Sequence, residues 1–250
     1  MEETIIPKTS TVLAALLKAD FTTLWRNRRA VVMVFLVPIV ILVSWKDLVA
    51  KMGAAFALSN SLTYGLIAIG LMGYTNSIAR DRDKGIFQRL RVAPAPNWTI
   101  MMSRIFVQLS MIALVTTAIF VVGYDYDKIT LTPTGYALTY LTAIVGGAVY
   151  LALGQVIVGL IKNPETVNST SRLVYFTFVI VGMFGGMGML GKQVEQMTQW
   201  SPYGTVKTIM AAGMVPGSWT MDTTNALLVT LGYTLVFAVI GIKNFKWNTK

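Results

Sequence analysis

The chain has 250 residues, of which 54% are hydrophobic and 13% charged, and it carries a net charge of +10. A soluble domain carries about 25% charged residues, so half that value, with long uncharged runs, places the chain in the membrane class. It contains no histidine and no cysteine, which excludes disulfides, zinc sites, thiol nucleophiles and histidine acid–base catalysis.

The first stretch, "MEETIIPKTS", is acidic and polar, unlike a cleavable signal peptide. Residues 1–29 are expected to form a lead-in whose Leu13, Leu16, Leu17, Phe21 and Leu24 recur near helical spacing. With basic residues at its end, it reads as an amphipathic helix lying on a membrane surface. A single transmembrane domain is expected over 30–250. Its six uncharged, apolar stretches are 30–45, 52–79, 105–124 (entered from about 99), 133–161, 173–191 and 223–242. The first is marginal in length and contains Pro38, with Trp45 and Lys46 as interface residues. Residues 46–51 and 125–132 read as short turns. Residues 192–222 read as two short interfacial or re-entrant helices, because Val194 with Met197, and Val206 with Ile209 and Met210, repeat at helical spacing. The predicted fold is therefore an all-α membrane protein.

Six spans put both termini on one side. Lys and Arg total 16 on that side and 5 on the other, while acids divide 6 to 5. This bias predicts cytoplasmic termini. It also accounts for the whole basic excess, so no nucleic-acid partner is expected.

"GMGMLGKQ" (186–193) fits the start of a phosphate-binding loop, but Gln193 stands where the chemistry needs Ser or Thr, and no strand is expected before it. Gly182 and Gly186 make a close-packing pair. Met183 and Met187, with Phe184 and Met189, form an adaptable apolar cluster that fits either core filling or a permissive path. Asn60 and Tyr64 sit in a polar half-span with Ser59, Ser61 and Thr63, which suits either interhelical hydrogen bonding or a pathway. Arg104 is expected to snorkel from the end of the third span. No Asp or Glu pair lies within the apolar spans, which argues against an ion-coupled carrier, an embedded hydrolase and a metal-dependent transferase. No catalytic, cofactor-binding or metal-binding residues are assigned.

Between spans two and three runs "RDRDKGIFQRLRVAPAP" (80–96), with seven charges in its first twelve residues. Ile86, Phe87 and Leu90 share a helical face, and Pro94 and Pro96 end the helix. On spacing alone, this is either a helix that drops into a groove on a soluble partner or one that rests on lipid headgroups.

These residues resemble a family pattern. Membrane subunits of type 2 ATP-binding-cassette (ABC-2) exporters carry a middle loop of the form R-E-x-G-T-hydrophobic-E-x-L-x-x-x-P. Arg82, Asp83, Gly85, Ile86, Phe87, Arg89, Leu90 and Pro94 fall in that pattern, with Asp83, Gln88 and Ile86 departing from its usual residues. The resemblance extends to "LWRNRRAVVMVFLVPIVIL" upstream and "QWSPYGTVKTIMAAG" downstream, and is nearest to drug-resistance and antibiotic-export permeases. It implies that 80–96 is a coupling helix docking on a cytoplasmic ABC ATPase, present in two copies, which binds the ATP and magnesium. It further implies a second permease copy, forming a homodimer in the cytoplasmic (inner) membrane of a bacterium or archaeon. This chain would then be no enzyme by itself. The expected function is ATP-driven export of an amphipathic or apolar substrate such as a drug, a lipid or a lipid-linked product. A non-transporting module that recruits a soluble partner, and a secondary carrier, are the other readings.

Overall fold

A computed structural model describes residues 8–26, 28–91, 97–186 and 189–245, and the described residues are helical with short connections. Pro94 and Met187 lie outside them. Helix α1 (Thr9–Arg26) has no buried residue. It is followed by α2 (Arg28–Ser44), and Thr9–Arg26 meets Val31–Ser44 at 60°. Val34, Pro38 and Leu42 face inward at a four-residue repeat, while Val32, Met33, Leu36 and Val40 face out. Residues expected to turn at 46–51 instead form α3 (Lys46–Met52).

The central element runs from Ala54 to Asp83. It comprises α4 (Ala54–Ile67), a π-helical stretch (Ala68–Thr75) and α5 (Asn76–Asp83). Every residue from Ala57 to Leu71 is buried. The widened turns leave carbonyls that side chains satisfy: Thr75 Oγ1 donates to Gly70 O (2.7 Å) and Asn76 Nδ2 to Met72 O (3.1 Å). Around it stand α6 (Ile86–Arg91), α7 (Asn97–Asp127), α8 (Pro133–Leu160) and α9 (Pro164–Ile180), which ends in a second π-helical turn (Val181–Gly185). Then come α10 (Lys192–Trp200), α11 (Pro202–Met214) and α12 (Met221–Asn244). Among the described residues, by length and composition, five helices can cross a membrane, or six if the bent α1–α2 pair counts as one span.

Three helices begin the same way. Thr132, Asn163 and Ser201 each cap a helix with a side-chain oxygen and are each followed by proline in the first turn, where a missing N–H costs nothing. The fifth span therefore starts at Pro164, well before the expected 173, and its first nine residues are polar apart from Pro164 and Val167. Pro202 likewise starts a helix rather than merely breaking one.

Helix α8 runs beside the central element in the same direction. Gly70 meets Tyr150, Gly154 meets Thr75, and Tyr74 donates its hydroxyl hydrogen to Gln155 Oε1 at 2.8 Å. A methyl group at Gly70 would stand 2.6 Å from the Tyr150 backbone, too close for any rotamer change to relieve. Gly70→Ala is therefore expected to cost about 1–3 kcal/mol. Thermal unfolding of the purified protein measures it, and an unchanged midpoint would show that the two backbones can separate freely. The close approach of these two backbones uses Gly70 and Gly154.

Between the fifth and sixth spans, α10 lies on the surface, with Met197 76% exposed, while α11 is buried along its length. Helix α11 runs antiparallel to α8: Tyr150 donates to Pro202 O (3.1 Å), Gly146 faces Val206, and Gly135 faces Met214. Tyr150 is 17 residues beyond Pro133, about 25 Å along the helix axis, so the start of α11 reaches deep into the bundle.

Candidate functional site

Four features meet at one end of the bundle: the α5–α6 turn, the α8–α9 turn, the start of α7 and the end of α12. Helix α5 ends at Asp83, and Gly85 takes φ +66, a conformation glycine adopts at little cost. Gly85 N donates to Arg82 O (3.1 Å), and the chain turns into α6. Phe87 is buried, edge-on to Phe245 at 6.0 Å, with the Arg104 guanidinium 5.9 Å from its ring centre. Ile86 and Leu90 are half-buried, whereas Asp83, Lys84, Gln88 and Arg89 are exposed. The short helix thus has an anchored apolar side and a charged outer side.

Arg82 does not share that outer side. It is 1% exposed, and its guanidinium donates to Val158 O (2.6 Å), Ile161 O (2.7 Å) and Lys162 O (2.9 Å). These are carbonyls at the C-terminal end of α8, where a helix leaves acceptors without partners and the macrodipole favours a cation. The position expected to face a partner is instead an internal clamp. It ties the central element to α8.

A second clamp surrounds Arg104, which is held rather than snorkelling. Its Nη2 lies 3.4 Å from Asp20 Oδ1 and 2.5 Å from Asp81 Oδ2. The Asp81 oxygen has no aligned hydrogen bond, so that contact is an ion pair. Ser103 Oγ also donates to Asp20 Oδ2 (2.6 Å). Burial pushes the Asp20 carboxyl above its usual range, with Arg104 and the Ser103 hydrogen bond pulling it back. Through this cluster α1 is joined to α7 and to the end of α5.

Deeper in the bundle, α11 is pinned to α4. The Tyr203 hydroxyl hydrogen-bonds Asn60 Oδ1 and lies 3.1 Å from the Tyr64 hydroxyl, and the two tyrosine rings stack at 5.4 Å. Asn60 Nδ2 donates to Phe56 O (2.7 Å) and Ser61 Oγ to Pro38 O (2.6 Å). Asn60 and Tyr64 are therefore interhelical connectors, and neither lines a described cavity.

Helix α9 borders two cavities. One, about 690 Å³, lies between α2, α5 and α9, with Arg28, Arg80 and Arg172 on its wall. The other, about 290 Å³, is lined mainly by apolar residues of α9, with Gly182 and Tyr203 at its rim. A methyl at Gly182 would stand 2.6 Å from the Tyr203 ring, so this glycine makes room for a tyrosine. Gly186 falls just beyond the π-helical turn, and Met183 packs at the edge of the core. Among the described residues no strand precedes the 186–193 stretch, so its phosphate-loop likeness has no matching geometry.

Sequence reasoning missed Asp20, Asp81, Tyr203 and Phe245, all of which are recognisable only through contacts distant in sequence. It counted Arg28, Arg80 and Arg172 as topology signals, and their convergence on one groove left no local trace.

Comparison with known proteins agrees with this architecture. A model of the ABC-2 type transporter family matches residues 11–215. The chain is 23% identical over 193 residues to a Bacillus subtilis (strain 168) protein named "Putative transport permease YvfS", covering 74% of this chain and 75% of that protein.

Proposed function

The chain belongs to the ABC-2 type transporter family, and on that premise we propose that it is the membrane half of an ATP-driven exporter. It is a multi-pass transmembrane transporter subunit, and membership implies association with an ATP-binding subunit. In the proposed complex, two copies of this chain pair in a bacterial or archaeal inner membrane, with the basic end in the cytoplasm. Two ATPase subunits dock there and hold the ATP and magnesium. The cargo is an amphipathic or apolar molecule taken from the cytoplasm or the inner leaflet, in keeping with the likeness to drug-resistance permeases.

The observation that supports this most is the α5–α6 elbow. Its outer side presents Asp83, Lys84 and Arg89, while Phe87 and Arg82 fix its inner side to α12 and α8. A push on the exposed side therefore reaches the most buried helix of the bundle. A lipid-surface helix needs no such buried clamp.

The test uses the chain co-expressed with its partner ATPase. Asp83→Lys with Arg89→Glu is expected to leave the purified chain folded. It should reduce co-purification of the ATPase and lower coupled ATP hydrolysis and transport at least about tenfold, since like charges at an interface cost several kcal/mol. Normal transport by this variant would sink the docking role. Transport that persists without ATP but collapses with an uncoupler would instead identify a secondary carrier.

A further inference from the structure

We propose that the groove between α2, α5 and α9 selects an anionic amphiphile, with a phosphate-bearing head held by Arg28, Arg80 and Arg172 and its hydrocarbon tail laid along the adjoining wall. The inference rests on the transporter reading above and adds the substrate class to it.

The three arginines come from three different helices and line one cavity of about 690 Å³. Among the described residues no acidic one lines it. The nearby acids in sequence are otherwise placed: Asp81 faces Arg104, and Asp83 and Glu165 are exposed outside the lining. Among the described residues the salt bridges are those of Arg104, and no described carboxylate pairs with any of the three groove arginines. Three unneutralised guanidiniums around one concavity favour a multiply charged, fork-accepting anion, and phosphate matches that geometry.

A second observation points to a ligand in the same place. Asn76 also lines the groove, and its Oδ1 is buried without a hydrogen-bond partner, while its Nδ2 is used within the helix. A head that carries a hydroxyl beside its phosphate would satisfy this acceptor. Away from the arginines, the wall is Val32, Val37, Met72 and Phe176. Val32 and Phe176 are each more than half exposed on the outer surfaces of α2 and α9. The groove is therefore charged at one end, apolar at the other, and open sideways along surfaces that suit hydrocarbon. Sugars and inorganic anions would leave that wall unused, and a neutral drug would leave three cations unpaired.

The purified full-length chain in detergent is titrated with lysophosphatidic acid, with lysophosphatidylcholine of the same acyl chain, and with inorganic phosphate. Lysophosphatidic acid is expected to bind at least about tenfold more tightly than the zwitterion. Arg80→Gln and Arg172→Gln should each weaken it about tenfold and weaken lysophosphatidylcholine, whose phosphodiester carries one charge beside its own cation, much less. Phe176→Ser should weaken both lipids, and Lys192→Gln, a charge loss outside the groove, neither. Elution of each variant at the wild-type volume confirms folding. Equal binding of the two lipids, or indifference to both arginine substitutions, would overturn the proposal. So would competition by inorganic phosphate at lipid-like concentrations, which would mark a plain anion site. A further arm separates this proposal from the transporter reading. If the lipid preference holds but no ATPase associates, the transporter reading fails and the ligand class stands. If the ATPase complex forms and both lipids stimulate it equally, the ligand class fails and the transporter reading stands.

Discussion

Arg82→Ala is expected to destabilise the protein by about 3–5 kcal/mol, the cost of opening a buried charged contact from one side. Three carbonyls, Val158 O, Ile161 O and Lys162 O, accept from this single guanidinium at 2.6, 2.7 and 2.9 Å. They belong to the end of α8, whose last turn has no N–H of its own to offer them. Alanine removes every donor and leaves the acceptors facing a cavity. Arg82→Lys should recover part of the loss, because an ammonium supplies charge but not a planar fork reaching carbonyls in two directions. Thermal unfolding of the detergent-purified chain gives the order wild type, Lys, Ala. If alanine matched wild type, water would be reaching the end of α8 and the clamp would carry no stability. The same variant tests transmission. With the ATPase bound, Arg82→Ala is expected to keep ATP hydrolysis while transport falls, since α8 no longer follows α5.

The character of Arg82 shows where sequence reading reaches its limit. Residues 80–91 announce a charged segment between two apolar spans, and Gly85 with the spacing of Ile86, Phe87 and Leu90 announces a turn and a short amphipathic helix. All of that is local, and the structure has it. The central helix, however, continues through Asp83, past the last uncharged residue at Ala79. Of its four charged side chains, two then point into the bundle and two away from it. Asp81 and Arg82 turn inward and Arg80 and Asp83 outward, an assignment fixed by where α8 and α7 end, which no local pattern encodes. Five of the six expected spans were readable because apolar length is additive along the chain, and the marginal first one reaches spanning length only when α1 and α2 count as one bent span. Caps were readable in principle from Thr132-Pro133, Asn163-Pro164 and Ser201-Pro202. The π-helical stretch was not, because it depends on Gly70 and Gly154 allowing two backbones to touch. Nor was the inward plunge of α11, whose register is set by Tyr203 finding Asn60 and Tyr64. The groove arginines mark a further limit. A basic residue at a span end carries topological information, and that meaning masks any second role it has in recognition.

Arg104→Ala should match the Arg82 variant in size, about 3–5 kcal/mol, and differ from it in pH dependence. Removing Arg104 leaves Asp20 and Asp81 close together with no cation between them. Asp20 already sits above its usual range through burial, and Arg104 is the strongest influence holding it down. Without the arginine its folded-state pKa rises further, while its unfolded-state value stays ordinary. The folded variant then holds a proton that the unfolded chain releases. Stability from that proton is full below the unfolded pKa and is lost as pH rises through the raised folded pKa. The variant should therefore regain thermal stability as pH falls from neutral toward the ordinary carboxylate range, with wild type changing much less. Adding Asp20→Asn should raise the variant's stability at the higher pH and flatten its profile. A parallel offset from wild type across this range would show that the deficit comes from lost packing against Phe87, not from facing carboxylates. Because Asp20 is the link from α1, the variant should also expose α1 to proteolysis before the rest of the chain. In the complex, that would loosen α1 from the bundle while leaving the α5–α6 elbow in place. Separate losses in the two variants, transmission with Arg82 and anchoring with Arg104, would divide the basic end into a lever and a mount.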